Sequence, residues 1–215
     1  MEIGVVDLAQ RLGVSERRAR ALVASGRLPG RRVSGRWLIE ETAIPASRPR
    51  SRPMSARVAW ELIWLLSDDP LGTVTQPELS RLRTKQRTLL AAPDPASLLR
   101  SWLPRRAELA RLAIAPGDVE GLLADPRIVP SGVSDDRAGL SAGGDVEGYV
   151  HVDDLAGVTS DHLLSTAGRH NVWLHVTDRR MPSPAPLGAV IADLADHDSP
   201  REDRAVVGLL RGVRP

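Results

Sequence analysis

Residues 5–40 read VVDLAQRLGVSERRARALVASGRLPGRRVSGRWLIE, and the order of apolar, small and turn residues in this stretch decides the N-terminal fold. Leu8, Ala9 and Leu12 recur at helical spacing and fall on one face. Gly13 then ends that helix, because a residue free to adopt a left-handed conformation lets the chain turn sharply. Ser15 is a good N-cap for a second helix from about Glu16 to Ser25, closed by Gly26, with Ala19, Leu22 and Val23 as its inward stripe. Two helices joined by a short glycine-containing turn make a helix-turn-helix. Pro29 and Gly30 break the second helix, and the residues on either side of Gly35 alternate as a short β-hairpin. Trp37 and Ile39 are expected on the side that packs on the helices, Arg36 and Leu38 on the other. A hairpin directly after the second helix is a wing.

The residue types on this frame point to duplex DNA. With the second helix as reader, Ser15, Arg17, Arg18 and Arg20 reach the major groove. The planar arginine fork binds guanine O6 and N7 bidentately or grips phosphates. Arg31, Arg32 and Arg36 on the wing are expected near the backbone or the minor groove. The plainer alternative is a helical domain with a solvated arginine face; turn, cap, wing and local charge together favour DNA. The segment resembles the excisionase-type, MerR-like winged helix-turn-helix family, on LGVSERRARALVASGRLP followed by the GRW hairpin. That resemblance covers about the first 44 residues and implies sequence-specific binding of duplex DNA in transcriptional or recombination control.

Charge is distributed unevenly around this head. The chain has 215 residues, a pI of about 9.8 and a formal net charge of only +2. Its single lysine is Lys85, so the high pI reflects an almost purely arginine basic set that does not titrate near neutrality. Residues 1–60 carry net +7, residues 61–115 net +2 and residues 116–215 net −7. A basic head and an acidic tail predict two surfaces with different partners. The chain has no cysteine, which excludes disulfides, thiolate metal sites and thiol catalysis within it. No stretch approaches the ~20 apolar residues of a membrane span, and the N-terminus lacks signal-peptide features, so no membrane partner and a cytoplasmic, bacterial-type protein are expected.

Four segments follow from the composition: residues 1–44 as the winged helix-turn-helix, 45–53 as a basic Pro-rich linker, 54–125 as a helical segment and 126–215 as an acidic α+β domain. The fold class is mainly α with an α+β C-terminal part. In the linker, PASRPRSRP reads as an extended tether. MSARVAWELIWLLS is an apolar helix capped by Ser55; its Trp60 and Trp64 are core or the face that pairs two copies into a homodimer. Thr75 and Glu78 form a capping box, with Pro77 in the first turn. Arg81, Arg83, Lys85 and Arg87 beyond it read first as a solvated face and second as a contact to flanking DNA. DPASLLRSWLPRRAELARLAI predicts two short helices separated at Pro104. After one more helix ending near Asp125, RIVPSG, EGYVHV and NVWLHV are strand candidates, with a helix at 153–164 between the last two. LGAVIADLAD and the segment opened by SPRED are helices, the latter with Ser199 as N-cap and Pro200 at its first position.

Catalytic signals are weak. His151, Asp153, Asp154, Asp161 and His162 are close in sequence, but no HExxH or equivalent metal spacing exists. His170 and His175 flank Trp173 and read as structural or surface residues. The chain has no phosphate-binding glycine loop and no GxSxG elbow, so no enzyme, no cofactor and no metal are expected. Residues 120–210 are similar to the AbiEi-type antitoxin regulators of type IV toxin–antitoxin systems, on NVWLHV, the turn into APLGAVIADLAD and the helix introduced by SPRED. That resemblance implies an autorepressor of its own promoter whose C-terminal region counteracts a nucleotidyltransferase-type toxin. A ligand-responsive repressor and an excisionase-like recombination directionality factor are the alternatives.

Overall fold

In the computed structural model, which describes residues 2–12, 16–24, 28–33, 35–40 and 52–214, the chain divides into the units Met1–Arg50 and Ser51–Pro215. The architecture is mainly α with an α+β C-terminal part.

In the first unit, β1 (Glu2–Ile3) precedes α1 (Val5–Leu12), α2 (Glu16–Ala24) and the hairpin β2 (Arg31–Val33) and β3 (Arg36–Glu40). Both strand pairs are antiparallel, in the order β1-β3-β2. Leu8 and Ala9 from α1, Ala19 and Val23 from α2, Leu28, and Ile3 and Ile39 from the strands form its core. Val33 pairs with Arg36, which closes the hairpin tightly. So tight a turn requires positive φ, and Gly35 has φ +80°. The third strand, β1, is two residues long and leaves no periodicity to read.

The second unit begins with α3 (Ala56–Ser67), α4 (Gln76–Leu90) and α5 (Pro95–Trp102). Ser55 Oγ accepts from the Val58 amide at the start of α3, and the Thr75–Glu78 capping box is complete in both directions. Asp94 caps α5 by accepting from the Ser97 amide at 3.0 Å, with Pro95 following it. The remaining elements are β4 (Glu108–Leu112), α6 (Val119–Leu123), β5 (Ile128–Pro130), β6 (Val146–His151), α7 (Leu155–Asp161), β7 (Val172–Thr177), α8 (Leu187–Asp196) and α9 (Pro200–Leu210). The sheet order is β4-β7-β6-β5; the central pair β6–β7 is parallel, with α7 in its crossover, and both edge pairs are antiparallel.

Side-chain alternation gives this sheet two unlike faces. Val146 and Val150 from β6 and Val172 and Leu174 from β7 join Leu122 of α6 and Val158 of α7 in one apolar cluster. Glu147 and Tyr149 from β6 and His175 from β7 point the other way, and all three are buried. The helices α3, α5 and α8 pack together in a second cluster that includes Tyr149. Helix α8 is enclosed almost all round, from Gly188 to Ala195, as its lack of a polar face demands.

One expectation is corrected. The segment after Pro104 forms the edge strand β4 rather than a helix, paired with β7 from Glu108↔Val176 to Leu112↔Val172. Glu, Leu, Ala and Arg favour helix, but five residues are too few to express that preference against a sheet edge that needs a partner. On α3, Trp60 takes the core reading, while Trp64 is half-buried. Trp60 is 1% exposed and donates from Nε1 to the Arg106 carbonyl at 2.9 Å, and α8 packs against α3 within the chain.

Candidate nucleic-acid interface

The burial of α2 sorts its residues by face. Ala19 and Val23 are buried, whereas Arg17, Arg20, Ala21 and Ala24 are exposed at i, i+3, i+4 and i+7, one helical stripe. Two arginines are therefore presented beside two alanines, whose small side chains allow the helix to approach a groove closely. Glu16 is also exposed, at the first turn. Ser15, the expected cap and first reader, lies outside the described residues, as do the side chains of Arg18 and Arg36.

The wing register separates its arginines. All three residues of β2 are exposed. Arg31 pairs with Leu38, while Arg32 pairs with Trp37, which packs against the core. Opposed residues of an antiparallel pair share a face, so Arg31 and Arg32 lie on opposite sides of the hairpin. Arg32 Nε turns back to donate to the Gly35 carbonyl at 3.4 Å. A flat sequence reading groups these arginines; the register distinguishes them.

The second unit holds a cluster of buried charge that local sequence patterns do not reveal. Arg106 donates to Asp193 Oδ1 at 2.7 Å and to Asp196 Oδ2 at 2.6 Å. Tyr149 Oη donates to Asp193 Oδ1 at 2.9 Å, and Ser131 Oγ donates to Asp193 Oδ2. Burial pushes the Tyr149 phenol well above its ordinary 10.0, and Asp193 pushes it the same way, so it stays a neutral donor. Beside it, Glu147 binds His175 Nε2 at 3.0 Å and His197 Nε2 at 2.9 Å, and accepts from the Val133 amide at 2.9 Å. Gly132 is required there: its φ is +53°, and a Cβ would stand 1.8 Å from Glu147 Oε2. Side-chain exposures of 3% for Arg106, 0% for Asp193 and 2% for Glu147 bury the centre of the cluster, and only Asp196 and His197 at its edge reach solvent. It joins the charged side of the sheet to α8.

The titration of this cluster has a readable consequence. Burial raises the Glu147 carboxyl, but the hydrogen bonds from His175 and His197 outweigh it and hold the group at about 2, below its ordinary 4.5. Burial opposes protonation of His197, yet Glu147, with Glu202 and Asp196 adding to it, raises it above 6.5. The raised His197 therefore contributes stability that is complete below about pH 6.5 and is lost as pH climbs through its folded value. The lowered Glu147 contributes stability that is complete above about pH 4.5 and is lost as pH falls toward 2. The urea midpoint of the intact chain is expected to fall as pH climbs above about 6.5, and His197→Gln is expected to flatten that fall. An equally steep fall in the variant would assign it to another group.

The other histidine and aspartate candidates are spoken for locally. His162 Nε2 lies 2.8 Å from Asp125 Oδ2, Asp161 pairs with Arg127 at 2.9 Å, and Asp154 pairs with Arg180. His151 Nδ1 is 3.3 Å from Asp153, and His170 approaches the Thr166 carbonyl at 3.1 Å. Among the described residues, no group of three or more such side chains is placed to hold a metal ion, and no helix is long and apolar enough to cross a membrane.

Residues 3–46 match the family described as a helix-turn-helix domain. No curated protein and no solved structure matches the chain. The first unit is thus a helix-turn-helix domain carrying a short three-stranded wing, the architecture of DNA-binding regulators.

Proposed function

We propose that this chain is a sequence-specific transcriptional regulator that reads duplex DNA with α2 and holds the phosphate backbone with its wing. The observation that carries the reading is the exposed stripe Arg17, Arg20, Ala21 and Ala24 on the second helix of a helix-turn-helix. Arg17 and Arg20 take base edges and Arg31 takes phosphate, while Arg32 lies on the opposite side of the hairpin, turned back to the Gly35 carbonyl. Arg31→Ala should weaken binding to operator and random duplex alike and flatten its salt dependence by about one phosphate contact. Loss on the operator alone would move Arg31 into base reading.

Within this reading the chain is the autorepressing antitoxin of a pair whose toxin is a nucleotidyltransferase-type enzyme. The support is the similarity of residues 120–210, above all NVWLHV and APLGAVIADLAD, to antitoxin regulators of that kind. In the structure those two stretches are the central strand β7 and the enclosed helix α8. The deciding experiment is a footprint on the chain's own promoter together with co-expression beside the adjacent toxin gene. Protection of the promoter and rescue of growth are expected. Rescue should persist when Arg17 and Arg20 are replaced by Ala, because neutralisation does not pass through α2. Absence of both protection and rescue would overturn the reading.

A ligand-responsive repressor is favoured by one feature. A pocket of about 240 Å³ lies between α3 and α4, walled by Met54, Val58, Val74 and Leu82, with Arg57 and Glu61 as polar walls. A small amphipathic molecule that raises the unfolding temperature and releases the promoter would support it over the antitoxin.

A further inference from the structure

Helix α4 presents a second cationic surface, on the unit that lacks the helix-turn-helix. Leu82, Gln86 and Leu89 face the core. Opposite them, Ser80, Thr84 and Thr88 run along the crest at i, i+4 and i+8, all exposed. Their side chains are short, and two are folded down: Thr84 Oγ1 donates to the Ser80 carbonyl at 2.9 Å and Thr88 Oγ1 to the Thr84 carbonyl at 2.8 Å. On one side of this low crest stand Arg83 and Arg87, and on the other Arg81 and Lys85.

Two features set this surface apart from a solvated helix face. Each flank is a like-charged i, i+4 pair, an arrangement that repels and weakens the helix bearing it. Carboxylate compensation is also missing. The sole carboxylate on α4, Glu78, is taken by Thr75 and Arg57, and no salt bridge is found to Arg81, Arg83, Lys85 or Arg87 among the described residues. Elsewhere on the unit, Arg100, Arg106, Arg127 and Arg137 are each held by aspartates. Lys85 rests over the Trp102 ring at 4.1 Å, and Arg87 reaches only a hydroxyl, Thr84 Oγ1, at 3.5 Å. Four cations thus fall within about 9 Å of helix axis. Each strand of duplex DNA carries one negative charge per about 3.4 Å of the helix axis, so one backbone offers about three phosphates over a similar span. A backbone lying along the hydroxyl crest would meet cations from both flanks and relieve both repulsions.

We infer that α4 is a sequence-independent phosphate clamp for duplex DNA flanking the operator. The inference rests on the DNA-binding reading of the first unit. The test is fluorescence anisotropy of the full chain on the footprinted operator and on a random duplex of equal length, from about 50 to 200 mM salt. The variants are Arg81→Gln/Arg83→Gln/Arg87→Gln and, as an equal-charge control off the helix, Arg169→Gln/Arg204→Gln/Arg211→Gln. Loss of three phosphate contacts should lower the salt slope by about 2.7 and shrink the wild-type advantage about 40-fold across that range. Both duplexes should be affected alike, and the control should bind nearly as wild type. Unchanged binding by the α4 variant, or an equal loss in the control, would overturn the clamp while leaving the helix-turn-helix reading intact. A wild-type chain that binds neither duplex would overturn both.

Discussion

Replacing Asp193 by Ala is expected to destabilise the second unit by about 3–5 kcal/mol, a large share of the stability of an ordinary domain. Asp193 is fully buried and accepts from Arg106, Tyr149 and Ser131 at once. Its removal leaves the Arg106 guanidinium, itself 3% exposed, with only the partly exposed Asp196 as a carboxylate partner. It also strips the acceptor from two buried hydroxyls, each worth about 1–3 kcal/mol when left unmade. Asp196→Ala touches the same guanidinium from a 30% exposed position and should cost far less. Arg106→Met combined with Asp193→Leu should recover part of the loss by removing the unpaired charge, but not all, because Tyr149 and Ser131 still lack their acceptor. Urea unfolding followed by tryptophan fluorescence measures this directly, since Trp60, Trp64, Trp102 and Trp173 all lie in the second unit. A loss below about 1 kcal/mol for Asp193→Ala would show that the cluster relaxes or hydrates when opened.

The double change Arg17→Ala/Arg20→Ala is expected to have the largest effect on DNA recognition. A base-edge arginine contact is worth about 1–3 kcal/mol of discrimination. Two such losses lower operator affinity by at least about 30-fold, at 1.4 kcal/mol per tenfold. Binding to random duplex should fall much less, so the specificity ratio collapses. Both residues are exposed and neither packs in the core, so the fold should tolerate the change. Competition between operator and random duplex at fixed salt gives the ratio. Equal losses on both duplexes would reassign the two arginines to phosphates and leave base reading to other positions of the helix.

The local signals in the sequence were strong wherever a residue type acts on its own neighbours. Ser55, the Thr75–Glu78 box and the Asp94–Pro95 start place α3, α4 and α5, because a cap bonds amides two or three residues away. Apolar strand residues at 146–151 and 172–177 and the apolar run of α8 were equally legible. β4 was not, because its conformation is dictated by the neighbouring strand β7, about sixty residues later. The candidate DNA face behaved similarly. Helical spacing alone put Arg17 and Arg20 outward, but only the pairing of β2 with β3 set Arg31 and Arg32 on opposite sides of the wing.

Charge shows the same division most clearly. The count of −7 over residues 116–215 suggests an acidic surface for a partner. Yet Asp125, Asp135, Glu147, Asp193 and Glu202 are buried, and Asp125, Glu147 and Asp193 are bound to His162, His175 and Arg106 from distant parts of the chain. Part of that negative charge therefore works inside the molecule. By itself the sequence determined the helix-turn-helix, its wing and its outward arginines, because capping, turn chemistry and helical periodicity act over a few residues. Only the tertiary structure decided which charges face solvent and which are neutralised in the core. Burial of an ion depends on partners that the fold brings together from positions as far apart as Arg106 and Asp193, a separation no local pattern encodes.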